Sequence, residues 1–128
     1  KFQKTGLKLP NAWGLYDMLG NVAEWTLDHY EEERMKNMPD KISNPFAGVE
    51  TARYPKAVRG GSYADVAADL RTANRLKSDP SWNRRDPQIP KSRWWLTDAP
   101  GVGFRIVRPF VQPTAKEAEA FFKQYLGK

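Results

Sequence analysis

Residues 10–25 read PNAWGLYDMLGNVAEW, and this stretch decides the fold because it joins a helical signal to a strand signal through one turn. Within it, residues 15–19 are rich in apolar side chains and are followed by Gly20 and Asn21, which predicts one or two helical turns with a glycine stop. Residues 22–28 (VAEWTLD) alternate roughly between apolar and polar side chains and contain β-forming residues, which predicts a strand. We therefore expect a short helix, a turn near residue 20 and a strand in succession.

Nine Gly and ten Pro divide the rest of the chain into short elements. Residues 57–59 predict a second strand, and residues 103–108 predict another because apolar and basic side chains alternate there. Residues 70–76 fit a strand or a short helix, and their periodicity does not decide between the two. Residues 30–55 and 78–100 predict long irregular loops, which in compact proteins tend to be functional or mobile.

The end of the chain carries the clearest helical signal. Thr114 and Glu117 have the spacing of a capping box, and Gly127 lies where a glycine ends a helix. Apolar side chains follow at helical spacing: Ala118, Phe121, Phe122, Tyr125 and Leu126. The sequence predicts a C-terminal helix whose apolar stripe covers either its own domain or a partner chain.

Composition narrows the function classes. The chain has 128 residues, a formal net charge of +6 and a hydrophobic fraction of 40%, which suit one globular domain. The absence of cysteine excludes a disulfide scaffold, a thiolate zinc site and a thiol nucleophile. Apolar runs are far shorter than the ~20 residues that span a bilayer, so no membrane span is expected.

Three segments together carry a family resemblance. Residues 10–25 resemble the PN-x-x-GLYDM-x-GNV-x-EW signature of the formylglycine-generating enzyme family, the sulfatase-modifying factors. Residues 58–63 (VRGGSY) resemble the RGGS-aromatic motif of that family, and residues 101–108 (GVGFRIVR) resemble its terminal GFR strand. The resemblance implies an α+β, irregular, loop-rich fold of the C-type-lectin-like kind.

The resemblance also implies a domain organisation. Residues 1–110 correspond to the C-terminal half of the family domain, and residues 111–128 are an appended C-terminal helix. A half-domain leaves apolar surface and strand edges uncovered. We therefore expect the other half to exist, as a second polypeptide or as an upstream or cleaved part of the same chain, unless the sequence is simply shortened.

A structural calcium ion beside residues 10–25 is a further implication of the resemblance. Its ligands are the side chains of Asp17 and Glu24 and the backbone carbonyls of Gly20 and Val22. Calcium prefers several hard oxygen ligands, and two carboxylates supply the negative charge. The alternative is that both carboxylates cap turns or pair with basic side chains.

The oxidase chemistry of the family is not expected in this chain. The catalytic members use two cysteines shortly after the RGGS-aromatic motif to hold copper and oxidise a substrate cysteine. Here Asp65 stands where the first cysteine is expected, and a carboxylate does not replace a soft thiolate for Cu(I), so no copper is expected. Ser62 keeps its family active-site position but has no evident base, since the single histidine of the chain is His29.

A basic stretch suggests a different kind of site. Seven Lys or Arg and two Asp lie between Arg71 and Arg93, and Trp residues are interleaved with them. Basic residues with exposed aromatic side chains bind anionic ligands, including nucleic acids and acidic glycans. The candidate ligand-binding residues are Arg84, Arg85, Arg93 and Trp94. Since no nucleic-acid motif is present, we do not expect nucleic acid, and Trp side chains in a loop-rich fold are also common core residues.

Two functional hypotheses from different classes follow. The first is a non-catalytic, calcium-stabilised module that recognises a ligand or a protein partner through its long loops. The second is a divergent enzyme of the family, of the oxidoreductase type, whose active site is completed by another chain or region and includes Asp65. The resemblance and the abundance of calcium outside the cytosol favour an extracytoplasmic location.

Overall fold

The computed structural model describes residues 1–43, 54–92 and 95–126, and it has an α+β, loop-rich architecture as predicted. Four strands form one mixed, curled sheet within these residues, and one α-helix follows them. The strands and the helix are β1 Ala23–His29, β2 Lys56–Arg59, β3 Leu76–Lys77, β4 Val102–Gly103 and α1 Ala115–Leu126. Short 3-10 helices occur at Arg34–Lys36, Ala67–Asp69 and Pro80–Asn83.

The sheet has the strand order β3-β2-β1-β4. β2 is antiparallel to both of its neighbours, and Val58 is in register with Trp25 on β1 and with Leu76 on β3. β4 is parallel to the start of β1, where Ala23 is in register with Val102. The two strands predicted near residues 22–28 and 57–59 are thereby confirmed, each within one residue of the expected bounds.

The hydrophobic core of the described residues is small. Ala23, Ala57 and Val58 are at most 3% exposed, and Val58 is the largest apolar side chain among the fully buried ones. Next to this core, the Trp25 and Trp82 rings meet edge to face with 5.6 Å between their centroids. The loop after β3 therefore packs against the sheet through an aromatic pair, a contact that contributes beyond simple burial.

The prediction of one or two helical turns over residues 15–19 is wrong. These residues form bends and coil, and Asp17 has a φ angle of +52°, which no right-handed helix accommodates. Asp is one of the few residues that adopt this left-handed conformation readily. The apolar composition of the segment was therefore compatible with a helix, but one residue in its middle turns the backbone the other way.

The strand predicted over residues 103–108 is only partly present. β4 ends at Gly103, and the following Phe104 and Ile106 are 74% and 83% exposed. A strand forms only where a neighbour pairs with it, and β1 offers pairing to the first residues of this segment alone. Residues 70–76, which fitted a strand or a helix, form a turn that ends in the two-residue strand β3.

The C-terminal helix is confirmed together with its capping box. The Thr114 hydroxyl and backbone N–H donate to the Glu117 carboxylate at 2.7 Å and 2.8 Å, and the Glu117 N–H donates to the Thr114 hydroxyl at 3.3 Å. These hydrogen bonds lower the pKa of Glu117. Gly127 lies outside the described residues, and the division of the chain at residue 110 stays a prediction. Among the described residues, no helix has the length and apolar character needed to cross a bilayer.

Candidate functional site

One pocket gathers most of the residues predicted to bind calcium. It has a volume of about 580 Å³ and lies between the N-terminal segment, the turn before β1 and the segment after β4. Its lining includes Gly6, Asp17, Val22, Glu24 and Arg105. We call it the acidic pocket, because its carboxylates outnumber its basic side chains. Its size is within the range of ligand sites in proteins.

Asp17 fixes the N-terminal segment across this pocket. Its Oδ2 accepts a hydrogen bond from the backbone N–H of Gly6 at 2.8 Å. Asn21 adds a second attachment, since its side-chain oxygen accepts from the Gln3 N–H at 2.9 Å and its amide donates to the Gln3 carbonyl at 3.2 Å. The two side chains hold a stretch of chain that has no regular structure of its own.

Gly20 anchors the same turn to the sheet. Its N–H donates to the Gly60 carbonyl at 2.8 Å, just beyond the end of β2. Gly20 and Gly60 both have a positive φ, of +88° and +87°, so each occupies a conformation that side chains rarely adopt. Gly20 itself is buried and does not line the acidic pocket.

Glu24 and Arg105 form a bidentate ion pair at the wall of the acidic pocket. Arg105 Nη2 donates to Glu24 Oε1 at 2.7 Å, and Arg105 Nε donates to Oε2 at 2.9 Å. The pair is half-buried, with side-chain exposures of 32% for Arg105 and 23% for Glu24. The hydrogen bonds to Glu24 raise the pKa of Arg105 further above its ordinary value. Nη2 also donates to the Tyr16 carbonyl at 2.9 Å, so the guanidinium joins three separate segments.

The structure thus brings together three of the four predicted calcium residues: Asp17, Val22 and Glu24 all line the acidic pocket. Within the part of the chain that the structure describes, no three His, Asp or Glu side chains come close enough to hold a metal by themselves. Backbone carbonyls would have to supply the remaining oxygens of any calcium site here.

Arg105 is the pocket residue that sequence reasoning missed. In the sequence it is one of the basic residues that alternate with apolar ones in the strand predicted over residues 103–108, whereas its partner Glu24 is 81 residues away. No local pattern links the two, because an ion pair between distant segments leaves no periodicity in the sequence.

Ser62 and Asp65 lie in the turn after β2 and bind to each other. Asp65 Oδ2 accepts from the Ser62 N–H at 2.6 Å and from the Ser62 hydroxyl at 2.8 Å. Ser62 is buried, and the two preceding glycines both have positive φ angles. The Asp65 carboxylate therefore closes a turn by accepting two local hydrogen bonds.

In the basic stretch, several of the side chains that the structure describes already have partners within the protein. Arg85 pairs with Asp98 at 2.5 Å, and the Thr97 hydroxyl donates to the same carboxylate at 2.7 Å. Arg84 is exposed; the pKa of nearby Asp79 is lowered mainly by hydrogen bonds from Ser81, and the Arg84 charge adds a smaller contribution. Arg93 and Trp94 lie outside the described residues. The anionic-ligand site stays a prediction, because two of its four residues lie outside the part of the chain that the structure describes.

Lys91 and Asp86 hold this loop from inside. The Lys91 ammonium donates to the carbonyls of Asn83, Arg84 and Asp86, with distances of 3.2 Å to the first and 3.1 Å to the last. Asp86 is 4% exposed and accepts from the N–H groups of Ser92 at 2.6 Å and Gln88 at 2.9 Å. The hydrogen bonds of Ser92 lower the pKa of Asp86. Lys91 and Asp86 therefore stabilise the conformation of the loop by bonding its backbone groups.

We expect this loop to lose its structure in acid. Hydrogen bonds from Thr97 and the Arg85 N–H lower the pKa of Asp98 from 3.8 to about 2. A depressed pKa means that the folded loop binds fewer protons than the unfolded one, so the stabilisation is present above about pH 4 and is lost as pH falls towards 2. Tryptophan fluorescence against pH measures the transition.

The matched variants for this experiment are Asp98→Asn and Asp40→Asn. Asp40 is an exposed carboxylate on another loop. Asp98→Asn removes the charge and should flatten the acid transition, whereas Asp40→Asn should leave it as in the unchanged protein. If the Asp98→Asn protein shows the same acid transition as the unchanged protein, Asp98 does not stabilise the loop.

Comparison with known proteins identifies related sequences. The model of the family described as "Sulfatase-modifying factor enzyme 1-like domain" matches residues 1–89. A serine/threonine-protein kinase pkn1 of Chlamydia pneumoniae is 38% identical over 74 residues, which are 56% of this chain and 11% of the relative. The Pkn1 kinase of Chlamydia trachomatis serovar L2 is 37% identical over 70 residues, with 52% and 11% coverage. The chain therefore matches only a small part of the length of these relatives.

The fold of this chain is similar to that of a solved structure. Treponema denticola variable protein 1 superposes on 81% of this chain and on 31% of its own chain, with a TM-score of 0.50 and 24% sequence identity. At that identity the similarity shows the fold alone. It agrees with the α+β architecture of the described residues.

Proposed function

The chain belongs to the sulfatase-modifying factor enzyme 1-like family, and we propose that this protein is a non-catalytic, calcium-stabilised module of the family that recognises a protein partner. The observation that carries the proposal is the Ser62–Asp65 turn. At the position where the resemblance implies a reactive cysteine, the chain has a carboxylate that accepts two hydrogen bonds from Ser62. These hydrogen bonds support a structural role for Asp65, and the absence of cysteine from the whole sequence supports the non-catalytic part of the proposal.

The acidic pocket supports the calcium part of the proposal. Oxygen atoms already converge on a positive charge there, since the Glu24 carboxylate and the Tyr16 carbonyl both accept from the Arg105 guanidinium. Asp17 and Glu24 would hold the ion, and backbone carbonyls of the turn before β1 would complete its oxygen shell. A bound calcium ion would supply charge neutralisation and fix this turn, a structural rather than chemical contribution.

Exposed apolar side chains support the binding part. Leu15, Tyr16, Phe104 and Ile106 line the acidic pocket, and they are between 43% and 83% exposed. We call these four residues the apolar rim. Large apolar surfaces on a soluble protein mark interaction sites. The partner that we propose for the rim is the remaining part of the family domain, carried by a second polypeptide.

The relatives are consistent with a module inside a larger assembly. The aligned segment covers 11% of each of two proteins that carry the name serine/threonine-protein kinase. A segment of that share occurs there beside a much longer remainder, as an accessory module would. We attribute no kinase chemistry to this chain.

Native mass spectrometry of the purified protein, with and without a calcium chelator, tests the proposal. We expect a complex that contains a second polypeptide and loses calcium on chelation. Phe104→Asp, at the apolar rim, should remove the second polypeptide, whereas Val66→Asp should keep it because Val66 is a similarly exposed apolar residue outside the pocket lining. A bare chain of 14.7 kDa without metal contradicts the proposal.

An activity assay separates this proposal from the enzyme hypothesis. The complex is incubated with a cysteine-containing peptide, Cu(I) and oxygen, and the peptide is analysed by mass spectrometry for conversion of its thiol to an aldehyde. We expect none. Conversion that disappears in an Asp65→Ala variant of the folded protein would instead establish a catalytic site that includes Asp65.

A further inference from the structure

The acidic pocket contains its own cation. The Arg105 guanidinium donates to both oxygens of Glu24, at 2.7 Å and 2.9 Å, and to the Tyr16 carbonyl at 2.9 Å. Nη2 also donates to a second backbone carbonyl, that of Asp17, at 3.5 Å. A positive group surrounded by a carboxylate and two carbonyls has the kind of oxygen environment that a metal ion also prefers.

The guanidinium and a calcium ion need the same carboxylate. Calcium binds carboxylate oxygens at 2.3–2.6 Å, roughly the distance of direct contact. Both Glu24 oxygens already accept hydrogen bonds from Arg105, so an ion at the same oxygens would stand close to the guanidinium. Two like charges a few ångströms apart in a half-buried pocket repel each other strongly.

The charge of the pocket changes with the position of Arg105. With the guanidinium in place, the side chains of Asp17, Glu24 and Arg105 carry a formal charge of about −1, and without it they carry about −2. The second value attracts a divalent cation better. Displacement of Arg105 therefore frees a ligand and raises the attraction for the ion at the same time.

We propose that Arg105 and calcium compete for the Glu24 carboxylate, so that Arg105 acts as a built-in cation when calcium is absent. This inference rests on the proposed calcium site. Arg105 lies between Phe104 and Ile106 of the apolar rim. Release of Arg105 from Glu24 would therefore free the segment that carries half of the rim, and calcium loading would be coupled to the surface that meets the partner.

Calcium titration by isothermal calorimetry tests the competition, with Arg105→Gln and Arg108→Gln as matched variants. Arg108 is an exposed arginine three residues further along the same segment. We expect Arg105→Gln to bind calcium about fivefold more tightly than the unchanged protein, since one half-buried charge pair no longer has to break. Arg108→Gln should match the unchanged protein, and adding Glu24→Gln to Arg105→Gln should abolish binding.

The outcomes separate the two proposals. Equal calcium affinity in the unchanged protein and in Arg105→Gln overturns the competition and leaves the calcium site standing. If neither protein binds calcium, the proposed calcium site fails and the competition fails with it. Near-UV circular dichroism verifies that each variant is folded. Should Arg105→Gln fail to fold, Arg105→Met replaces it, because methionine keeps an unbranched apolar stem without the charge and should also bind calcium more tightly.

Discussion

Replacing Gly60 with alanine is expected to lower the free energy of unfolding by about 2–3 kcal/mol, more than the same change costs at Gly14. Both glycines have a positive φ, of +87° and +76°, so each substitution strains the backbone. The difference is in the surroundings. A Cβ at Gly60 would lie 3.1 Å from the Met18 carbonyl oxygen, whereas a Cβ at Gly14 meets nothing within 4 Å. Since Met18 presents backbone and not a flexible side chain, it cannot move aside alone.

The consequence of the Gly60 change should extend to the acidic pocket. The Gly20 N–H donates to the Gly60 carbonyl, and Met18 lies between Asp17 and that contact along the chain. Displacing the Met18 carbonyl therefore disturbs the turn that carries Asp17. Any calcium binding should weaken in Gly60→Ala and persist in Gly14→Ala.

Urea denaturation of the two variants measures this difference. Gly14→Ala should cost only about 1 kcal/mol, the conformational strain without the close contact. Equal losses of unfolding free energy in the two variants would show that the Met18 turn moves away from β2 without resistance. The contact between Gly60 and Met18 would then play no part in holding the pocket.

Elements with a local signal were predictable from the sequence. The capping box of α1 depends on two residues three positions apart, and the strands β1 and β2 depend on alternation within a few residues. Such patterns reflect interactions between near neighbours. They need no knowledge of the remaining chain.

The predictions that were wrong concern segments whose conformation depends on contacts with distant parts of the chain. Asp17 adopts its left-handed conformation where its carboxylate accepts from Gly6, and the segment after Gly103 leaves the sheet where Arg105 pairs with Glu24. Neither contact is visible as a periodic pattern. The candidate site was likewise only partly predictable. The family resemblance pointed to Asp17 and Glu24, but only the structure shows that the Arg105 guanidinium pairs with Glu24.

Replacing Val58 with alanine is expected to lower the free energy of unfolding by about 2–3 kcal/mol, through the lost burial of two methyl groups and the cavity that remains. Val58 is 0% exposed, and it is in register with Trp25 on one side and Leu76 on the other. The described core has few other apolar side chains to close around a cavity, so relaxation should recover little of the loss.

Val66 provides the matched control for this substitution, because it is 65% exposed. Val66→Ala should change the free energy of unfolding by less than about 0.5 kcal/mol. Both variants are compared with the unchanged protein by urea denaturation, alone and with the partner bound. If Val58→Ala costs no more than Val66→Ala, the sheet does not carry the stability of the chain. The stability would then have to come from outside the sheet, and the difference between the chain alone and the chain with the proposed partner would measure the contribution of the apolar rim.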